Sequence, residues 1–539
     1  MKTTSFLVLL LASACGFAKA EGEHGYWLDG SSLNSWKGVV YRACVSAQPV
    51  ELPSGVEPML ISASSASVQM LVLEGMTHLL TFGDMRAFHR FEVALCLDPD
   101  CLMAHWGRCM SLMGAGPAFQ EQRVHSLKRM KELALKPDCP EHERAYAEAL
   151  ALLVMDGPDK ALQSWENICS TWKRDPYAPL FYAMLLRDGF DVQGRPREGQ
   201  RKAVDVVDAV LKERPESQAA LFMRALLEEV APVISQETVE IARKAVKVNP
   251  FSASSHHLLG HCLFRTGDYD GASESFKNSE DLCLAWEKAE NVPPALDDAY
   301  FRSVIYRAVS EYCAGRYKQA SDIASRAAAV PLDTKNPMAP GTLMQIWEVR
   351  TLPARLMLAR PELPSQAEVL KIAPGSLPKE FPDLGNGMTA LLTQYTGARY
   401  SAQRGKMGGV GTAFDKLSGV MRLLMDGGEV AQRQMSLSYW VRCLQLGSLY
   451  SAEIRALMFP DSAHVWMAEA ISNQRFSSLL LPPVLPYPAE WKLACSYLQA
   501  GKYQECMDCC EQALKRFPNH AGVLKTLKKA RTMNKNKAQ

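Results

Sequence analysis

The sequence predicts an all-α fold: an α-α superhelix of stacked helix hairpins, somewhat irregular along its length. Three observations carry this. The chain has 539 residues, too many for one compact core, so internal periodicity is the first expectation. The segment "WKLACSYLQAGKYQECMDCCEQALKRFP" (491–518) places Leu493-Ala494, Tyr497, Gly501, Tyr503, Ala513 and Pro518 at the spacings of a two-helix unit. Related spacings recur at Leu259-Gly260, Gly267, Tyr269, Ala272 and Phe276, at Ala308, Gly315, Tyr317, Ala320 and Ala327, and at Gly75, Ala87, Phe91, Ala94 and Pro99.

Each position has a physical reason. Ala494 is small where the two helices of a hairpin touch, and Gly501 makes the turn between them. Tyr503 covers that turn, and Pro518 ends the second helix because it cannot continue one. Cys506 and Cys510 stand at core positions of the second helix, so the Cys506-x-x-Cys509-Cys510 run predicts packing and not a redox pair, which belongs at a helix start. Weaker copies run through Ala149, Ala161, Trp165 and Ile168, then Ala203, Val207, Val210 and Pro215, then Ala245 with Pro250.

In chain order, residues 1–20, "MKTTSFLVLLLASACGFAKA", have a lysine, an apolar stretch and Ala18-Lys19-Ala20, the pattern of a secretory signal cleaved after Ala20. A competing reading acylates Cys15 as a lipid anchor. Residues 21–60 read as an extended leader and 61–330 as an N-terminal helical array. Residues 331–390 read as an irregular connector, with five prolines between Pro361 and Pro382, and 391–532 as a C-terminal array. Within the latter, "PPVLPYP" (482–488) reads as a stiff connector into the final hairpin, and 533–539 as a basic tail.

Charge excludes one class of partner. The signal segment 1–20 carries Lys2 and Lys19 and no acid, so its removal takes 60 basic residues to 58, against 58 acidic ones. A chain of zero formal charge has no global field for collecting phosphates, so no nucleic acid is expected. No later apolar run is long enough to span a bilayer. Fourteen of the fifteen cysteines follow the signal segment 1–20, many of them where a helical repeat wants a small buried residue, and their pairing is not readable from spacing.

In period and residue type these units resemble the tetratricopeptide repeat, a hairpin of about 34 residues. Further motifs resemble a bacterial secreted tetratricopeptide-repeat family of unknown function. Ala94, Asp98, Pro99, Met103, Ala104, Trp106 and Gly107 are similar to its first repeat, with a Met-Ala-x-Trp-Gly helix. His257 and His261 in "HLLGH" match its His-x-x-x-His helix, and residues 486–524 resemble its closing hairpin after a proline-rich connector. Where that family brings further histidines, this chain has Arg302 and Ile305. The resemblance implies the fold and a periplasmic or secreted location, and no defined activity.

The functional expectation follows from the register. Trp106, Met110, Met113, His257, His261, Ile305, Tyr312, Tyr395, Arg399 and Trp491 fall on the side of their first helices that lines the concave groove. A groove of His, Trp, Tyr, Met and Arg suits a protein or peptide partner, so a binding scaffold without catalysis or cofactor is expected. The alternative is a metal-binding protein using His257 and His261, which share a helix face. Zinc needs three or four ligands, and near this pair only Asp268 and Asp270 offer themselves, because Cys262 points elsewhere. The glycine cluster "RGKMGGVGTAF" (404–414) is no phosphate loop: Lys406 precedes three of its four glycines, and no strand leads into it. Ala398, Gly405 and Phe414 fall instead at contact, turn and core positions.

Overall fold

A computed structural model describes residues 55–114, 119–381, 383–433, 436–474 and 478–538. The signal segment 1–20 with its Cys15, and residues 21–54 of the extended leader, lie outside these residues. The described chain is helical, with one isolated β-bridge between Phe190 and Pro196. It divides into two compact units. Unit 1 takes the described part of Met1–Leu259 with Asp281–Ala299 and Met338–Pro340, and unit 2 takes Gly260–Glu280, Tyr300–Pro337 and Gly341–Gln539.

Unit 1 is a succession of hairpins: α1 (Ala66–Leu80) with α2 (Asp84–Leu97), α3 (Leu102–Ser111) with α4 (Gln120–Ala134), and α5 (Glu141–Met155) with α6 (Pro158–Thr171). Next come α7 (Ala178–Leu186) with α8 (Glu198–Glu213), and α9 (Gln218–Glu229) with α10 (Gln236–Val248). Each helix packs against the next. The aromatic and small positions of the repeat meet as the sequence requires. A Cβ on Gly75 of α1 would stand 2.6 Å from the buried Phe91 ring of α2, and one on Gly107 of α3 would stand 2.1 Å from it. Hairpins thus approach to backbone distance around one ring, and a side chain there would overpack.

Helices α11 (Ala253–Thr266) and α12 (Tyr269–Glu290) contribute residues to both units. Unit 2 continues with α13 (Ala299–Cys313), whose first residue belongs to unit 1, then α14 (Tyr317–Ala328), α15 (Pro340–Met344), α16 (Leu352–Ala359) and α17 (Gln366–Ile372). There follow α18 (Gly387–Gln403), α19 (Met407–Asp426), α20 (Gly428–Arg433), α21 (Leu437–Met458), α22 (Ala463–Asn473), α23 (Ala489–Gln499), α24 (Tyr503–Arg516) and α25 (Ala521–Ala538). Four hairpin turns close identically. Gly267, Gly315, Gly405 and Gly501 hold φ between +69° and +85°. In each, the glycine N–H and the next N–H return to the helix just ended, as in Gly501 to Leu498 and Lys502 to Tyr497. This is the Schellman stop, which needs a left-handed residue at its corner.

Unit 2 departs from a plain array at residues 478–488. The proline-rich stretch is not a spacer: Leu481, Val484, Leu485 and Tyr487 are buried, each contributing about 1.5–3 kcal/mol by leaving water. Prolines donate no backbone hydrogen bond, but their buried carbonyls still need donors, and side chains supply them. Arg442 donates to Pro482 O at 2.9 Å and Arg355 to Val484 O at 2.7 Å. His520 meets Pro486 O at 3.2 Å, Gln474 donates to Tyr487 O at 2.7 Å, and the Tyr306 hydroxyl donates to Ser478 O. Both arginines also bind Glu348, which is fully buried in a π-helical turn at Gln345–Val349. Burial opposes ionisation of Glu348, but the two guanidinium groups outweigh it and hold its carboxyl below the usual range.

Candidate functional site

The ten residues expected to line the concave groove differ in exposure. Trp106, Met113, His257, His261, Ile305, Tyr312, Tyr395 and Trp491 are buried, and only Met110 and Arg399 keep partial exposure. In unit 1, Trp106 interlocks with Tyr146, Trp165 and Phe181 at ring separations of 5.4, 6.5 and 5.2 Å, and its indole N–H donates to Tyr146 O at 3.1 Å. This is hairpin core. In unit 2, the proline-rich strap covers part of the same face. Tyr312 donates to Ala359 O at 2.6 Å, and His261 Nδ1 pairs with the Tyr306 hydroxyl at 3.0 Å. Among the described residues, no group of three or more His, Cys, Asp and Glu side chains is arranged to hold a metal ion.

Three of the expected residues do converge, in unit 2, on a polar and aromatic cluster built by α18, α21 and α23. Helix α18 is stopped by the Gly405 turn and carries Tyr395 and Arg399 one turn apart. Helix α23 starts directly after Pro488, with Glu490 in its first turn where the helix dipole favours an acid, and carries Trp491 and Lys492. Between them, α21 supplies Tyr450 and Glu453, and the strap supplies Tyr487. Glu453 is the hub: it accepts the Tyr395 hydroxyl at 2.5 Å and the Tyr487 hydroxyl at 2.6 Å. Arg399 donates to the Tyr395 oxygen at 2.7 Å, and the Tyr395 ring stacks on Tyr450 at 3.8 Å.

Lys492 lies beside this hub, partly exposed, with its ammonium 4.5 Å from the Tyr487 ring and 5.6 Å from the Trp491 ring. Both are cation–π distances. The Trp491 indole is fixed by donating to Thr526 Oγ1 at 2.9 Å. Burial pulls the Lys492 ammonium below its ordinary pKa, Arg399 adds to this, and Glu453 opposes it. Burial drives the Tyr395 and Tyr487 phenols well above theirs, with the Glu453 charge adding to it, so both remain donors to the carboxylate.

Tyr450, Glu453, Tyr487 and Lys492 were not legible as site residues. Helix α21 shows no repeat motif from which to set its register, and Tyr487 sits in a stretch that reads as a spacer. Lys492 had a signal: it follows Trp491 on a first helix, next to a position already assigned to the groove.

Other charged clusters have structural work. In unit 1, Arg90 bridges Glu74 at 3.0 Å and Glu290 at 3.2 Å. The Arg86 guanidinium lies 4.9 Å over Trp286. Asp175 accepts the His142 imidazole at 2.7 Å and the Tyr146 hydroxyl at 2.9 Å, and its other oxygen accepts the N–H groups of Tyr177 and Ala178 at the start of α7. Cys506 and Cys510 are fully buried in the α23–α24 hairpin, and burial raises both thiols above their usual pKa, which keeps them unreactive. No described helix is long and apolar enough to cross a membrane.

Comparison with known proteins matches two segments to the tetratricopeptide repeat, residues 253–283 and 489–520. These are the hairpin that holds Gly267 and the one that holds Gly501. A search of curated proteins finds no match. Among solved structures, the P58(IPK) TPR domain is similar at 14% identity over 87% of this chain and 99% of its own, with a TM-score of 0.19. Human IFIT1, a dimer with m7Gppp-AAAA, is similar at 12% identity over 94% and 95%, with a TM-score of 0.35. Yeast Tom70 is similar at 12% over 87% and 89%, with a TM-score of 0.30. At such scores nothing those proteins bind is carried over.

Proposed function

We propose that this tetratricopeptide-repeat protein is a non-catalytic scaffold that receives a protein or peptide partner on unit 2, at the cluster of Tyr395, Arg399, Glu453, Trp491 and Lys492. One observation carries the proposal: most of the first-helix face is closed by the strap and by core packing, and this cluster keeps two partly exposed cations beside buried aromatic rings. Aromatic anchors ringed by polar groups are the composition of interface hot spots. Stacked hairpins suit the task because each is braced by its neighbours, which leaves the face rigid before the partner arrives.

A photoreactive amino acid at Ser496, one turn beyond Lys492 on α23, tests this in intact cells. A discrete adduct at Ser496 is expected, with none from the exposed Glu511 on α24. Absence of any adduct at Ser496 would overturn the proposal.

Residues 1–20 support export to a periplasmic or extracellular location. Mass measurement of the mature N-terminus should find unmodified Glu21. An acylated Cys15 would replace this with a lipid-anchored protein, and an intact Met1 would remove export altogether.

A further inference from the structure

Beyond the scaffold assignment, we propose that the exposed face of α25 docks this protein on an anionic lipid surface. The distribution of charge along the chain leads there. Helix α25 carries Lys525, Lys528, Lys529, Arg531, Lys535 and Lys537 and no acid. It thus holds 6 of the 60 basic residues and none of the 58 acidic ones, which leaves 54 against 58 in the remainder. A basic amphipathic helix on an otherwise slightly acidic chain is drawn to an anionic surface while the rest is repelled, which also sets the orientation.

The fold turns these charges outward. Val523, Thr526, Leu527 and Ala530 are buried where α25 packs on α23 and α24. At about 100° per residue, Lys525, Lys528, Lys529, Arg531 and Lys535 fall on the opposite side, and all five are exposed. Arg531 meets Glu511 at 3.4 Å, whereas the four lysines make no ion pair with any described residue. Beyond Ala530 every residue from 531 to 536 is exposed, so this end of the helix stands clear of the hairpin and can meet a flat surface. Other helices of unit 2 mix their signs. Helix α24 sets Glu505, Asp508 and Glu511 against Lys515 and Arg516, and α19 sets Asp415 and Asp426 against Lys416 and Arg422.

A lipid surface fits this face better than a free polyanion. Leu524 and Met533 are 43% and 39% exposed beside the lysines, and with the lysine stems they offer apolar surface to the boundary below the headgroups. A nucleic acid has no such layer, and the acid excess of the remaining chain repels a long polyanion running past it. Each lysine brought to an anionic leaflet strengthens adhesion by about fivefold, so four unpaired ones give roughly several hundredfold, weakening as salt is added.

Co-sedimentation of the purified chain with large vesicles at low ionic strength tests this. One set is phosphatidylcholine alone, and the other contains phosphatidylcholine and phosphatidylglycerol at about two to one. Parent and variants share one N-terminus, so residues 1–20 cannot account for a difference between them. The parent is expected to partition at least about tenfold more strongly onto the anionic vesicles. Lys528→Gln with Lys529→Gln, and separately Lys525→Gln with Lys535→Gln, should each weaken that by about twentyfold. Lys244→Gln with Lys247→Gln, at exposed positions of α10, removes the same charge and should stay within about twofold of the parent.

Equal partition onto the two vesicle types overturns the inference. So does an equal loss in the α10 variant, which would reduce the effect to net charge. Fluorescein-labelled oligothymidylate bound more tightly than the anionic vesicles overturns it in favour of nucleic acid. Circular dichroism confirms that each variant is folded, and should an α25 variant not be, the comparison of vesicles and oligonucleotide on the unchanged protein still decides.

Discussion

Alanine at Gly501 and at Gly267 separates the conformational cost of a hairpin turn from its contact cost. Both residues hold left-handed φ, +70° and +81°, a region that costs an L-residue about 1–2 kcal/mol. Part of that is offset, by about 0.4–1 kcal/mol, because alanine restricts the unfolded chain. A Cβ at 501 meets nothing within 4 Å, so the net loss for Gly501→Ala should be about 1 kcal/mol. A Cβ at 267 would stand 2.5 Å from the Pro518 carbonyl oxygen and 2.8 Å from its carbon. Backbone cannot rotate aside as a side-chain tip can, so overpacking adds about 1–3 kcal/mol, giving about 2–4 kcal/mol in all. Urea unfolding followed by circular dichroism gives both losses from the midpoint shifts. Hydrogen exchange of α24 amides localises the first. Gly501→Asn is the control: asparagine tolerates this region, and Asn519 already occupies it at φ +60°. Equal losses at the two glycines, or a gain for Gly501→Ala, would refute the reasoning.

Three further outcomes are expected. Burial opposes ionisation of Glu74, yet its hydrogen bond with His78 and the Arg90 charge win and hold its carboxyl at about 2, against an ordinary 4.5. Its stabilisation is therefore complete above the unfolded value and lost as pH falls from about 4.5 to 2, roughly 3 kcal/mol at 1.36 per unit. Glu74→Gln should flatten that limb of an acid titration, and an unchanged limb contradicts the assignment. Glu287 runs the opposite way: burial, then Asp297, pushes it up to about 8. The native state keeps a proton that the unfolded chain releases, so stability declines as pH rises from about 4.5 to 8. Glu287→Gln should remove that decline, a gain of up to about 5 kcal/mol at pH 8, seen in melts at pH 5 and pH 8; equal Tm differences at the two would speak against it. Glu348→Gln leaves the buried Arg355 and the partly buried Arg442 without their counter-ion and should cost about 3–5 kcal/mol by urea unfolding. A loss below about 1 kcal/mol would mean the strap is held otherwise.

The hairpins were legible because their signals are local. Gly501, Gly267, Gly315 and Gly405 mark turns that each close within six residues, and Phe91 or Phe276 announces the small residue it covers on the facing helix. Openness of the first-helix face was not legible. Whether Ile305 or Tyr312 meets solvent depends on what residues from far along the chain lay across it, and "PPVLPYP" has no period to betray a docking place. A chemical hint was present: a run of prolines brings carbonyls without matching N–H groups, so its burial calls for side-chain donors, and Arg355 and Arg442 were there to serve. Tyr395, Arg399 and Trp491 were reached through the repeat register. Glu453, which joins Tyr395 to Tyr487, lies in a helix that carries no such register.

Stacked repeats ordinarily come apart from an end, because each hairpin answers only to its neighbours. The lacing at residues 478–488 changes that for unit 2. Its carbonyls are tied to Tyr306, Arg355, Arg442, Gln474 and His520, which span more than two hundred positions of sequence. Peeling away the terminal helices from α23 onward would pull this cord from three distant helices at once. Loss of the last repeat is thereby coupled to loss of the interior, and unit 2 should melt as a block where an unlaced array would fray.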